Sequence, residues 1–119
     1  MMKDGIIISQ RDIVLISFPF ADLNYEKKRP VIIISNFDYN KRNSDFICCA
    51  ITSNLRNYQN SIEISNSDLE KGFLKFKSNI KVNKIFTLEQ IKIEKWIGRL
   101  KINKSMNIIE NINSILNIN

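Results

Sequence analysis

Hydrophobic positions along this chain gather into short runs without internal charge, separated by polar stretches, and the lengths of the runs point to strands. Residues 12–18 (DIVLISF), 31–34 (VIII) and 46–51 (FICCAI) are too short for buried helices and rich in β-branched side chains, so each reads as a buried strand. Residues 6–8 form a short lead-in strand or an extension of the first. In residues 61–65 (SIEIS) apolar and polar positions alternate, the period of a half-buried strand. Ile80 and Val82 alternate with Asn79, Lys81 and Asn83 in the same way, and residues 85–88 continue the sheet after a bend. Ile108, Ile109, Ile112, Ile115 and Leu116 instead follow the helical period, with Asn107, Glu110, Asn111, Asn113 and Ser114 opposite. That stripe suits a helix laid on the sheet, a far commoner use of five aliphatics at this spacing than docking a partner helix or a membrane.

The segments between these runs are read from their breakers. Pro19 lacks a ladder donor, so Phe18-Pro19-Phe20 is expected to end the first strand and open a polar loop over residues 21–28. Residues 36–44 read as a loop. Residues 67–72 (SDLEKG) read as one helical turn with Ser67 as N-cap and Gly72 as its stop. Residues 89–100 fit neither period cleanly, and Gly98 is expected to end whatever forms there. The expectation is a mainly β, α+β chain with a C-terminal amphipathic helix.

Composition narrows the function. With 119 residues, 44% hydrophobic and 25% charged, the chain suits one globular domain spanning 1–119. No run approaches the roughly 18 apolar residues of a membrane span, and the first ten residues are too short for a secretory core, so a cytoplasmic protein without a membrane partner is expected. There is no histidine, which removes the commonest general base and the commonest zinc ligand. The 12 acidic residues are dispersed rather than clustered for magnesium, and three glycines make no phosphate loop, so neither a metal nor another cofactor is expected. Cys48 and Cys49 are adjacent, would face opposite sides of a strand, and read as core thiols.

Net charge is +6, and its distribution is uneven. Residues 71–104 hold ten Lys or Arg against two Glu, a net of +8, whereas the remainder holds eight bases against ten acids, a net of −2. A basic segment of this kind either meets a polyanion or is a solvated surface. Pro30 biases Arg29 toward an extended backbone, so Arg29 is expected at a strand entrance, fixed yet open to solvent. A guanidinium held there meets a phosphate with two parallel hydrogen bonds. Phe18 and Phe20 either stack on bases or close a hydrophobic corner. Thr52-Ser53-Asn54 cannot continue an apolar strand and should surface at its end.

Taken in order, DIVLISFPF, the polar loop, KKRPVIIIS, CCAITSN, KG with an aromatic and a leucine, Ser78, KIFTL and IGRL resemble the MazF/PemK family of toxin endoribonucleases from about Asp12 to the C-terminal helix. No single motif is specific; the ordered combination is. The resemblance implies a compact SH3-like or CcdB/MazF-type barrel, a homodimer, metal-independent cleavage of single-stranded RNA, and an acidic antitoxin that blocks the groove. It places the catalytic pair on Arg29 and Thr52, with Ser53 and Glu26 as possible auxiliaries. Candidate RNA-binding residues are Phe18, Phe20, Lys27, Lys28, Arg11, Arg56 and Lys84. Two positions depart from the family pattern. Arg11 stands where a glycine is usual, which either alters the entrance turn or adds a cation to the groove, and Lys84 stands where related enzymes often carry a glutamine. The alternative is a non-catalytic barrel that binds nucleic acid or a protein such as gyrase.

Overall fold

A computed structural model describes residues 8–20, 25–56 and 59–119, with the side chains of all of these but 18–20, 25 and 26. Seven strands and two helices follow in the order β1 (Asp12–Phe20), β2 (Tyr25–Ile33), α1 (Phe37–Arg42), β3 (Asp45–Thr52), β4 (Ser61–Ile64), β5 (Leu69–Gly72), β6 (Ser78–Glu89), β7 (Ile93–Leu100) and α2 (Ile102–Leu116). The strands form one antiparallel sheet in the order β4-β6-β3-β2-β1-β7-β5, curled into a half-barrel.

The central strands are uninterrupted apolar runs because both of their faces are covered. Ile13, Ile32, Cys49, Ile51 and Ile80 point into a cluster closed by Ile108 and Ile112 of α2. Their neighbours Val14, Val31 and Cys48 point the other way, into a second cluster with Ile16, Phe46 and Ile93. The two adjacent cysteines therefore serve opposite cores, as the strand period requires. Burial pushes both thiols up to about 12, so they are packing residues rather than nucleophiles.

Several boundaries differ from the sequence reading. β1 does not stop before Pro19: its ladder with β2 runs on to Phe20 opposite Tyr25, so the polar segment 25–28 is strand rather than loop. Residues 36–44 contain α1, capped by Asn36, whose side chain accepts from the Tyr39 amide at 2.9 Å. The buried Gln90 amide donates to the carbonyls of Asn40, Asn43 and Asp45 and holds that short helix against the sheet. Residues 69–72 are strand β5, preceded by a single 3-10 turn at Asn66–Asp68 that Ser65 caps in place of Ser67. Gly98 does not end a segment either. It lies inside β7, directly opposite Gly72. The bend expected in β6 is present: Cys49 pairs with Ile85 and Ala50 with Lys81, leaving residues 82–84 out of the β3 register.

Candidate active site

Arg29 sits in the middle of β2, opposite Ile16, rather than at its entrance. The β2–β3 ladder begins only at Val31, so among the described residues the half of β2 that carries Lys27, Lys28 and Arg29 is paired to β1 and has no strand along its other edge. Proline at position 30, next to that point, removes no bond to β3. Pro30 thus stands where the pairing to β3 begins, with exposed Arg29 beside it.

Thr52 closes β3 next to this open edge. Its hydroxyl oxygen accepts the Asn54 amide at 3.2 Å, and the Asn54 side chain accepts the Arg56 amide at 3.1 Å, which fixes the turn that follows. Asn79, buried opposite Thr52 in β6, donates to the carbonyls of Asn54 and Arg56 at 3.4 Å. Because the Thr52 oxygen acts as acceptor in that turn, its own O–H remains a donor to whatever lies in front of it.

Arg29, Thr52 and Ser53 line a single open cleft of about 820 Å³. Its floor is apolar, from Leu15, Ile51, Leu74 and Ile97. Five cations line it, Lys27, Lys28, Arg29, Lys75 and Lys95, and among the described residues no carboxylate does. Like charges gathered with no counter-ion among the described residues favour an anion in the space between them. A second cavity of about 440 Å³, between α2 and the end of β2, is walled by Ile32, Ile33, Ile34, Ile102 and Met106 together with Gln10, Arg11, Ser105 and Glu110, and gathers no comparable group of cations.

The sequence candidates divide clearly. Lys27, Lys28, Arg29, Thr52 and Ser53 come together in the cleft. Arg11 does not line it: its guanidinium donates to the Leu100 carbonyl at 2.9 Å and to Glu70 at 3.2 Å. Its φ of 81° lies in the left-handed region that favours glycine, and its cation bonds to β5 and β7 rather than facing the cleft. Exposed Arg56 and Lys84 are not among the cleft residues. The side chains of Phe18, Phe20 and Glu26 lie outside the described ones.

Sequence reasoning missed Phe73, Lys75, Phe76, Lys95 and Trp96, all of which line the cleft. For the first three a signal was present. Residues 73–77 (FLKFK) interleave aromatics with lysines, a composition suited to a phosphate-and-base polymer. The +8 segment itself is not one surface. Lys77 pairs with Glu63, Arg99 with Asp12 and Lys104 with Asp68, three acids from outside the segment, while Lys75 and Lys95 reach the cleft.

Comparison with known proteins gives a consistent picture. Residues 9–116 match the family model described as PemK-like, MazF-like toxin of type II toxin-antitoxin system. No curated protein matches the chain. Among solved structures, the MazE-MazF complex of Deinococcus radiodurans (Form-III) superposes with a TM-score of 0.79 at 14% identity, covering 96% of this chain and 100% of that one. An endoribonuclease from a mycobacterial species gives 0.70 at 18% identity over 95% and 94% of the two chains. The toxin MazF-mt6 of Mycobacterium tuberculosis gives 0.71 at 18%, over 92% and 99%. At these identities the structural likeness establishes the fold: the half-barrel with its C-terminal helix is of MazF type.

Proposed function

The chain belongs to the PemK-like, MazF-like toxins of type II toxin-antitoxin systems, and from that premise we propose that it is an endoribonuclease that cuts single-stranded RNA without a metal ion. The observation that carries this reading is the meeting of Arg29 and Thr52 in one cationic cleft free of described carboxylates. Two of its structural relatives, an endoribonuclease from a mycobacterial species and an endoribonuclease in complex with its cognate antitoxin, support the substrate class and the kind of partner.

The chemistry follows from the groups at hand. A ribose 2′-hydroxyl attacks the adjacent phosphorus, the bond to the 5′-oxygen breaks, and the products are a 2′,3′-cyclic phosphate and a 5′-hydroxyl. Charge builds on the non-bridging oxygens as the bond forms. The planar fork of Arg29 and the hydroxyl of Thr52 stabilise that charge where water would be a poorer partner. Lys27 and Lys28 hold flanking phosphates, and Ser53 is a second hydroxyl donor beside Thr52. The 2′-hydroxyl proton goes to a base, for which Glu26, three residues before Arg29, is the carboxylate nearest in sequence, and the departing 5′-oxygen takes up a proton from water to become the 5′-hydroxyl. An attacking group supplied by the substrate needs alignment rather than a histidine-activated water, which suits a chain without histidine. The active species is a homodimer, and an acidic antitoxin occupies the cleft in the resting complex.

The test is incubation of a mixed RNA with the protein in EDTA. Cleavage should persist and leave the two ends named above, and a substrate with deoxyribose 5′ of the scissile phosphate should bind and stay intact. Arg29→Ala should lower the rate roughly a hundredfold, about 3 kcal/mol of transition-state stabilisation, and Arg29→Lys should restore little because the fork is lost. Thr52→Ala should cost less. Cleavage that needs a metal, or a folded Arg29→Ala protein that cuts at the wild-type rate, would return the protein to the non-catalytic binding class.

A further inference from the structure

The loop between β5 and β6 presents Phe73 and Phe76 to solvent with 69% and 61% of their surfaces exposed, on the wall of the cleft that also holds Arg29. Two large aromatics left open on a five-residue loop cost apolar surface in water and need a use. The loop backbone is held from several directions. The Asn66 side chain accepts the Leu74 amide at 2.7 Å and donates to the Leu74 carbonyl at 2.9 Å, a paired clamp on one residue. Leu74 itself, between the two phenylalanines in sequence, is buried in the core cluster with Ile51 and Ile80. The Phe73 amide donates to the Ile97 carbonyl at 3.3 Å, and the buried Ser78 hydroxyl donates to the Phe76 carbonyl at 2.9 Å. With Leu74 anchored and both flanks tied, the residues on either side are turned outward on a fixed frame. Lys75 lies between them in sequence, its ammonium 5.9 Å from the centre of the Phe76 ring, so cationic and aromatic groups are offered together.

Resting on the RNA reading of the same cleft, we propose that Phe73 and Phe76 form a base-stacking platform, on which bases next to the scissile phosphate are laid while Arg29 and the lysines hold the backbone. Charge complementarity favours this occupant: the platform shares its cleft with five cations and no described carboxylate, and single-stranded nucleic acid is the polymer that brings phosphates and flat apolar rings together. An acidic peptide answers the cations but supplies no regular array of rings. The platform gives the enzyme a way to sense which bases flank the cut, because purines stack more strongly than pyrimidines. Phe73 and Phe76 would then be specificity residues that leave the charge chemistry of Arg29 untouched.

The chain's single tryptophan, Trp96, lies half-buried in this cleft and reports its occupancy by emission. The probe is a pair of all-deoxy decamers, which cannot be cleaved: one of mixed sequence, the other with the same sugars and phosphates but abasic at its central positions. Wild-type protein should bind the base-bearing strand more tightly. Phe73→Leu and Phe76→Leu keep exposed apolar bulk and the clamped backbone, and each should weaken the base-bearing strand roughly five- to tenfold while leaving the abasic strand within twofold. If the leucine variants bound both strands as wild type does, or weakened both alike, the platform would be overturned and the RNA reading would stand. If they lost affinity only for an acidic peptide, the aromatics would belong to a protein partner and the stacking proposal would be wrong. If wild-type protein bound neither strand, the RNA reading would fall, and the platform with it.

Discussion

Arg11 shows how one residue fills a role that its type does not advertise. It occupies left-handed backbone at φ 81°, where a side chain other than glycine's is strained, and its guanidinium bonds to Leu100 and Glu70 offset that strain. Its neighbour Asp12 is buried, accepting the Ser9 amide at 2.9 Å and the Arg99 Nε at 2.8 Å, so the start of β1 is knotted to β7 by charge-assisted bonds. The cysteines are the opposite case, polar atoms used as core. Each thiol ordinarily ionises near 9.0 and is pushed up to about 12 by burial, Cys48 also by its neighbour Cys49. Their contribution to stability is therefore complete below about pH 9 and is lost as pH rises from there toward 12, because only the unfolded chain then releases the protons. Between pH 9 and 10 the loss should approach about 1 kcal/mol per thiol. Urea midpoints should fall over that interval in the wild-type protein and fall less in a Cys48→Ala, Cys49→Ala double variant. Equal alkaline slopes for the two proteins would refute the assignment.

At the scale of elements, the strands legible in the sequence were those whose pattern reflects burial alone: the double-sided runs of β1, β2 and β3, the alternation of β4 and the first half of β6, and the stripe of α2. What was not legible depends on partners far along the chain. α1 is six residues long and polar, and it is held by Gln90, some fifty positions away. β5 looks like a helical turn because its pairing with β7 leaves three of its four residues exposed. In the site, Arg29 and Thr52 could be named from sequence, and the FLKFK run carried a compositional signal for Phe73 and Phe76, but Lys95 and Trp96 could not be named, since their meeting with those residues in one cleft is a product of the sheet's curl. The Gly72–Gly98 contact is of the same long-range kind. Gly72 has φ +88°, and a Cβ there would lie 2.3 Å from the Gly98 Cα and from the Ile97 carbonyl oxygen, with only backbone to give way. Gly72→Ala should cost about 2–4 kcal/mol, read as a lowered urea midpoint, and should disturb the adjacent loop that carries Phe73. A change below about 0.5 kcal/mol would mean that β5 does not approach β7 this closely.

For the whole molecule, the telling quantity is where charge remains uncompensated rather than how much there is. The net +6 comes wholly from residues 71–104, which carry +8 against −2 elsewhere, yet folding pairs three of those cations with Asp12, Glu63 and Asp68 and brings Lys75 and Lys95 to the cleft beside Lys27, Lys28 and Arg29. The cleft therefore draws its cations from the central strand β2, from β7 and from the loop between β5 and β6. A single strand lying there would release counterions from the phosphates it gives to those five groups. With three to five phosphates engaged, log affinity should fall against log salt with a slope of about −2 to −3.5. Lys75→Ala and Lys95→Ala should each reduce that slope by roughly 0.7, whereas Lys104→Ala, whose partner is Asp68, should leave it unchanged. The same cations would hold an acidic antitoxin, so RNA and antitoxin should exclude one another, with the antitoxin's affinity showing the same dependence on Lys75 and Lys95. The decisive measurement is a salt series on an uncleavable strand with and without saturating antitoxin. A slope that responds to Lys104→Ala as strongly as to Lys75→Ala, or RNA affinity untouched by bound antitoxin, would show that binding reads the protein's overall charge and not this cleft.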